Sequence, residues 1–197
     1  MLSAFSPGQL SEIVGPWSSG AGSLLLALMA RTALSGARVA LVDAGDSFDP
    51  ASAAASGADL SRFIWVKCGG RPRVAWSAAD LLVRCPGFGL VALDLGESGL
   101  IRREPIPPAF RVRLKLAAEQ SAAALVLRVP HPLAGSAAAL AVSLRRIESQ
   151  WIGSSPPTRF AGFISEARIL RARARCHSRA DRQHPREGES VEIPWRL

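Results

Sequence analysis

The sequence predicts an α/β fold, in which a mainly parallel β-sheet is flanked by helices and antiparallel strands lie at the C-terminal end. Short apolar runs, typical of buried strands, alternate with segments of helical spacing between residues 11 and 127. Residues 160–170 are rich in β-branched and aromatic side chains and follow a turn signal at 154–157, which predicts a final hairpin. The helical crossovers between the earlier strands predict parallel pairing, with both faces of the sheet covered.

The predicted elements follow one another in a regular order. A strand at 11–14 leads through a Gly-rich segment, residues 15–23, into an Ala- and Leu-rich helix and a second strand. Residues 137–145 fit either a strand or a short helix. The predicted strands are 11–14, 39–42, 63–66, 90–95 and 125–127, and the predicted helices are 23–34, 51–56, 76–84 and 110–124.

Length and composition predict one domain. With 197 residues, of which 48% are hydrophobic, the chain can bury one substantial core. We expect residues 1–175 to form it and 176–197 to be a basic, polar tail. A signal segment and a long apolar run are not evident, so we expect a cytoplasmic protein. The three cysteines are far apart in sequence and indicate neither a zinc site nor a disulfide framework.

The Gly-rich segment has the spacing of a phosphate-binding loop, G-x-x-x-x-G-K-[ST], but lacks its reactive side chains. In that motif the lysine reaches the phosphates and the hydroxyl binds Mg²⁺. Ala21 and Gly22 occupy these two positions. Each charge-assisted contact is worth roughly 1.5–3 kcal/mol, so their loss predicts Mg-nucleotide binding weakened about 10²–10⁴-fold.

Some polar groups of a nucleotide site remain. The strand at 90–95 carries Asp94 near its end, as in a strand whose carboxylate holds Mg²⁺ through water. We expect the fold to persist without nucleotide hydrolysis, a cofactor or a metal. The degenerate nucleotide-binding residues are Gly15, Ser18, Ser19, Gly20, Ala21, Gly22, Ser23 and Asp94.

Arginines concentrate toward the C-terminal end of a chain whose net charge is +8. Such a stripe can bind DNA or an acidic protein surface. A solvated tail, or the wet face of an edge strand, would show the same pattern. The predicted DNA- or partner-binding residues are Arg168, Arg171, Arg173, Arg175 and Arg179.

Over residues 12–175 the chain resembles the core of the RecA recombinase family. The resemblance lies in residues 15–20, 42–50, 57–60, 135–136 and 142–146, and in the strand ending at Asp94. Gly45 stands where active members carry a catalytic Glu, with Asp46 next to it, and Pro130 and His131 replace the Gln that senses the γ-phosphate. Compared with that family, these losses imply a pseudo-ATPase.

Among RecA-like proteins with a degenerate loop, the chain is most similar to the ImuA group. This resemblance implies an accessory role in SOS-induced translesion synthesis, through contacts with a RecA-type recombinase and a Y-family or error-prone polymerase. Family extensions that join neighbouring subunits are not evident, so a recombinase filament is not expected. The alternatives are a SulA-like inhibitor of cell division and a residual nucleotide-dependent DNA-binding enzyme.

Overall fold

The computed structural model describes residues 2–96, 107–154, 159–173 and 186–196. The strands are β1 (Leu10–Val14), β2 (Arg38–Asp43), β3 (Phe63–Lys67), β4 (Phe88–Asp94), β5 (Ala124–Val129), β6 (Leu140–Ile152), β7 (Arg159–Ala172) and β8 (Ser190–Arg196). The helices are α1 (Ala21–Leu34), α2 (Pro50–Ala55), α3 (Pro72–Arg84) and α4 (Pro108–Glu119), with short 3₁₀ turns at Leu2–Ala4, Leu60–Arg62 and Gly135–Ala137.

All eight strands form one sheet in the order β3-β2-β4-β5-β1-β6-β7-β8. Pairing is parallel from β3 through to β6 and antiparallel between β6, β7 and β8. This confirms the predicted fold class. The segment that fitted a strand or a helix is a strand from Leu140 onward. The helix predicted to reach residue 124 ends at Glu119, because Ala124 already belongs to β5.

Helices cover the two faces of the sheet with separate cores. On one face, α1 packs Leu25 and Met29 against sheet residues that include Ile13 and Leu41. On the other, α3 and α4 pack side chains such as Trp76 against Val91 and Leu93. Residues of β1 to β5 alternate between the faces, so these five strands contribute to both cores, whereas β6, β7 and β8 contribute to the core beneath α1. Within the described residues, no helix combines the length and apolar character needed to cross a membrane.

The strands β6 and β7 are far longer than the parallel strands. They have 13 and 14 residues, whereas β1 has five. The last strand, β8, lies in the range that the sequence assigned to a tail, yet it pairs with β7 from Arg168 back to Gly162. The sheet therefore extends past residue 175. Pro194 lies within β8, opposite Ile164.

Asp80 joins the two helices that cover one face. It is buried on α3, where it accepts hydrogen bonds from Arg84 at 3.0 and 3.2 Å and from Arg113 of α4. Burial acts to raise the pKa of Asp80, but the hydrogen bonds and charges of the two arginines outweigh it and hold the pKa below its ordinary value of 3.8.

Replacing Asp80 with Asn tests this junction. We expect a loss of about 1–3 kcal/mol near pH 7, because charge-assisted hydrogen bonds to both arginines weaken. The folded-state pKa of Asp80 is depressed, so its contribution is fully present above about pH 4 and disappears as pH falls through that pKa. Urea unfolding of both proteins should show the stability gap narrowing below pH 4.

Glu119→Gln on α4 is the matched control. Glu119 pairs with Lys115 at 3.5 Å with both side chains exposed, so the change should cost under about 1 kcal/mol. A gap between Asp80→Asn and the parent that stays constant from neutral to acidic pH contradicts the assignment.

Candidate functional site at the Gly-rich segment

The Gly-rich segment connects β1 to α1, and its conformation and packing require glycine at positions 15 and 20. Gly20 is the N-cap residue of α1 and has a φ of 90°, in the left-handed region that favours glycine. A Cβ on Gly15 would lie 2.4 Å from Ser19 Oγ and 2.9 Å from the carbonyl oxygen of Leu144. The two glycines that give the segment the spacing of a phosphate-binding loop therefore also allow it to pack tightly against β6.

The segment partly satisfies its own amides. The N–H of Ala21 donates to Ser19 Oγ at 3.3 Å, and Ser19 is buried. The N–H groups of Gly22 and Ser23, in the first turn of α1, find no acceptor among the described residues. Two donors thus remain available at the helix N-terminus.

The antiparallel strands hold the segment from the side. Ser165 Oγ of β7 donates to the carbonyl oxygen of Ser19 at 2.7 Å, and Trp195 Nε1 of β8 donates to Ser165 Oγ at 3.1 Å. A Cβ on Gly20 would lie 2.6 Å from Trp195 Nε1. Trp195 therefore packs against the segment.

Asp94, at the end of β4, forms an ion pair with Arg128 of β5. Arg128 Nη1 donates to the two carboxylate oxygens at 2.9 and 2.8 Å, and the N–H of Gly96 donates to Asp94 Oδ1 at 2.8 Å. The exposed fractions of the Arg128 and Asp94 side chains are 9% and 12%. Burial raises the pKa of Asp94, and the Arg128 charge opposes that rise.

The Arg128 guanidinium reaches the Gly-rich segment. Its Cζ lies 3.6 Å from where a Cβ on Gly22 would stand, and 2.4 Å from where one on Gly96 would stand. The exposed ring of Trp17 lies over the same guanidinium, 5.6 Å from ring centroid to Cζ. A positive charge therefore approaches the segment from β5, and Asp94 neutralises it.

Two further acidic residues near this edge are engaged in structure. Asp43, fully buried at the end of β2, accepts from the N–H of Phe48 at 2.8 Å and from Trp65 Nε1 at 3.3 Å. Asp46, next to the position of the missing Glu, accepts from the N–H groups of Cys68 and Gly69. In the described part of the chain, no three His, Cys, Asp or Glu side chains gather as metal ligands.

A cleft of about 280 Å³ opens beside the segment, between α1 and the β6–β7 hairpin. Its wall continues into four aromatic side chains, the aromatic row Trp151, Phe160, Phe163 and Trp195, whose successive centroids lie 5.2, 6.5 and 6.2 Å apart. The residues that line the cleft are Ser18, Gly20, Gly22, Ser23, Arg128, Arg146, Phe160 and Phe163.

Known proteins share both this architecture and part of the sequence. A crystal structure of the RadB recombinase superposes with a TM-score of 0.66, covering 96% of this chain and 88% of that one at 19% identity. The fold is that of the RecA-like recombinases. Protein RecA of Borrelia hermsii is 31% identical over 93 residues, and Protein RecA of Trichodesmium erythraeum is 38% identical over 87 residues.

These sequence matches are partial. They cover 47% and 44% of this chain, and the chain spans about a quarter of each relative, 26% and 24%. No family model matches the sequence. The comparisons therefore show a RecA-like fold and partial sequence similarity to RecA proteins, and leave the activity of this chain to its own residues.

The predicted arginine stripe is only partly described. Arg168 and Arg173 are exposed and Arg171 is half-buried, while Arg175 and Arg179 lie outside the described residues. Strand β7 lies between β6 and β8, but its pairing with β8 runs only from Gly162 to Arg168, so Arg171 lies beyond it. A bulge at Leu170 separates Arg168 from Arg171, since Ile169 pairs with Val142 and Arg171 with the adjacent Ala141. None of the contacts described for the Gly-rich segment involves these arginines.

Sequence reasoning missed Arg128 and Ser165. Arg128 carried a signal, because a charged residue inside the apolar run 124–129 needs a buried carboxylate partner. Parallel register then places it beside Asp94. The contact between Ser165 and Ser19 spans 146 residues and had no local signal.

A double-mutant cycle on the ion pair tests whether the RecA-like core depends on it. We expect Arg128→Met to cost about 3–5 kcal/mol, because it leaves Asp94 buried without a countercharge. Adding Asp94→Asn should recover about 1–3 kcal/mol, since no charge is then stranded. Urea unfolding of the four proteins measures both values.

Arg145→Met serves as the control for the cycle. Arg145 pairs with Glu166 at 2.9 Å, but its side chain is 75% exposed, so its loss should cost less than about 1 kcal/mol. Strictly additive effects at Arg128 and Asp94 would show that the pair is not coupled.

Proposed function

We propose that this chain is a non-catalytic RecA-like accessory protein of SOS-induced DNA damage tolerance and translesion synthesis. It acts by binding a RecA-type recombinase, an error-prone polymerase partner, or both. The observation that carries the proposal is the ion pair of Arg128 with Asp94 beside a Gly-rich segment that lacks the motif's lysine and hydroxyl.

The side chains present do not fit Mg-nucleotide. Asp94 already accepts hydrogen bonds from Arg128 on both oxygens, so a Mg²⁺ ion would have to displace a guanidinium and would be repelled by it. Ala21 offers no ammonium group and Gly22 no hydroxyl. Because the segment supplies no cation to balance the phosphate charge of a nucleotide, it is better suited to a structural role.

Internal contacts at the segment support the same conclusion. Ser19 Oγ is used by the N–H of Ala21, and the Ser19 carbonyl accepts from Ser165. Trp195 then packs against Gly20, where a Cβ would not fit. These contacts hold the segment in one conformation without any bound nucleotide, as a pseudo-enzyme requires.

The adaptor role is supported by a RecA-like fold that is retained while the Gly-rich segment lacks the side chains that bind nucleotide. The relationship to Protein RecA and the likeness to the RadB recombinase point to recombination-type partners, and the resemblance to the ImuA group favours a translesion setting. Arg168 and Arg173, both exposed on the hairpin, offer a DNA contact that would add to protein binding.

Calorimetry with Mg-ATP tests the pseudo-enzyme part. We expect no saturable binding at millimolar nucleotide, because the cation and metal-ligand positions are not supplied. The variant Ala21→Lys with Gly22→Thr should also fail to bind, since Asp94 stays paired with Arg128. A RecA protein under the same conditions is the positive control, and micromolar binding by the parent chain contradicts the proposal.

Pull-down with purified proteins tests the adaptor part. We expect the immobilised full chain to retain a RecA-type recombinase or a Y-family polymerase homologue, because its function then lies on its surface. The tubulin-like division protein is the comparator. Retention of neither of the first two contradicts the proposal, and retention of the division protein alone indicates the SulA-like alternative.

A further inference from the structure

We propose that the cleft beside the Gly-rich segment binds a short acidic peptide segment of a partner protein. One carboxylate would accept from the N-terminal amides of α1 and from Arg146, while an adjoining apolar side chain would pack on Phe160 and Phe163. The inference rests on the proposed function in one respect, that the partner is a protein. It identifies the surface that the partner uses.

The first half of the site is built for an anion. The N–H groups of Gly22 and Ser23 lack acceptors among the described residues. Because α1 has 14 residues, the aligned peptide dipoles also give its N-terminus a partial positive charge. Arg128 lines the same cleft, is 7% exposed, and its buried Nε has no hydrogen-bond partner. An anion entering the cleft would meet donors that the fold leaves unused.

Arg146 supplies the uncompensated charge. It is exposed on β6 and stands opposite Ser165, whose hydroxyl contacts the Gly-rich segment, so both lie on the face that bears the cleft. No ion pair forms between Arg146 and any acidic side chain that the structure describes. The lining of the cleft contains no acidic residue, and it is therefore complementary to a carboxylate.

The second half of the site is apolar. Phe160 and Phe163 stack at 6.5 Å with an interplanar angle of 15°, and both are half-buried walls of the cleft. At the end of the aromatic row, Trp151 is 59% exposed. Aromatic side chains grouped at an accessible edge are typical anchors for a partner's apolar residue.

The charge and size of the cleft favour a peptide over nucleic acid or nucleotide. Arg128 is neutralised by Asp94, which leaves one free guanidinium, Arg146, among the described lining residues. A nucleotide or a nucleic acid strand presents several phosphates and needs several cations. The volume of about 280 Å³ lies at the small end of the ~300–1,000 Å³ common for small-molecule pockets. A ligand with one carboxylate and one neighbouring apolar side chain matches both the single free guanidinium and the volume of the cleft.

NMR titration of the ¹⁵N-labelled full chain tests the site with two capped peptides, acetyl-Gly-Phe-Glu-Leu-Gly-amide and its Gln counterpart. We expect the Glu peptide to shift the amide signals of Gly22 and Ser23 and the indole signal of Trp195. A charge-assisted hydrogen bond is worth roughly 1.5–3 kcal/mol, so the Glu peptide should bind about 10–100-fold more tightly than the Gln peptide.

Two variants identify the residue responsible. Arg146→Gln should reduce the preference for Glu over Gln to the small part that the N-terminus of α1 supplies. Arg145→Gln is the matched control: Arg145 is the neighbouring arginine, on the opposite face of β6 and paired with Glu166, so the preference should persist. Both side chains are exposed, and neither change is expected to unfold the protein.

Several results would overturn the assignment. These are equal affinity for the two peptides, no shifts at millimolar peptide, or an oligothymidylate or Mg-ATP shifting the same amides at lower concentration. The pull-down separates this inference from the proposed function. If the parent and Arg146→Gln retain partners equally and neither peptide shifts any amide signal, the proposed peptide site is wrong and the accessory role stands. If the Glu peptide binds as expected but no partner is retained, the accessory role alone is wrong.

Discussion

The ion pair between Arg128 and Asp94 is the interaction on which the functional edge of this protein depends. It joins the ends of two adjacent parallel strands, β4 and β5, inside a region from which water is largely excluded. Removing one partner would strand a charge at high cost, whereas the pair itself adds modest net stability. Its main effect is therefore geometric, because it fixes a large cation beneath the Gly-rich segment and requires glycine at position 96.

Ionisable side chains occupy neighbouring positions on three strands at this edge. Asp43 of β2 stands in register with Asp94 of β4, which in turn stands beside Arg128 of β5. Asp43 keeps one buried oxygen without a partner among the described residues, and its charge adds to the rise in the pKa of Asp94. The described hydrogen bonds of Arg128 all go to Asp94, while Asp43 accepts from Phe48 and Trp65. Loss of Arg128 would therefore leave Asp94 without a countercharge and beside a second buried acid.

Much of the fold was predictable from the sequence, because apolar runs and helical spacing are local signals. The strand at 11–14, the helix that follows the Gly-rich segment and the final hairpin were all located. The contacts of the site were harder to predict from the sequence. The segment's glycines were identified by their spacing, but the contacts of Ser165 and Trp195 depend on how a distant hairpin folds back. Strand β8 was assigned to a tail because the polar residues before it hide its period-two pattern.

The proline in β8 has a consequence for how the molecule meets other proteins. Outermost strands usually leave a row of N–H groups that can capture a foreign strand. Pro194 has no N–H to offer, and prolines are tolerated in edge strands where that position faces outward. The sheet therefore ends at β8 with an interrupted rim, and growth by strand addition is disfavoured on that side. Recognition there must rely on side chains, which confers selectivity that a continuous backbone edge would lack.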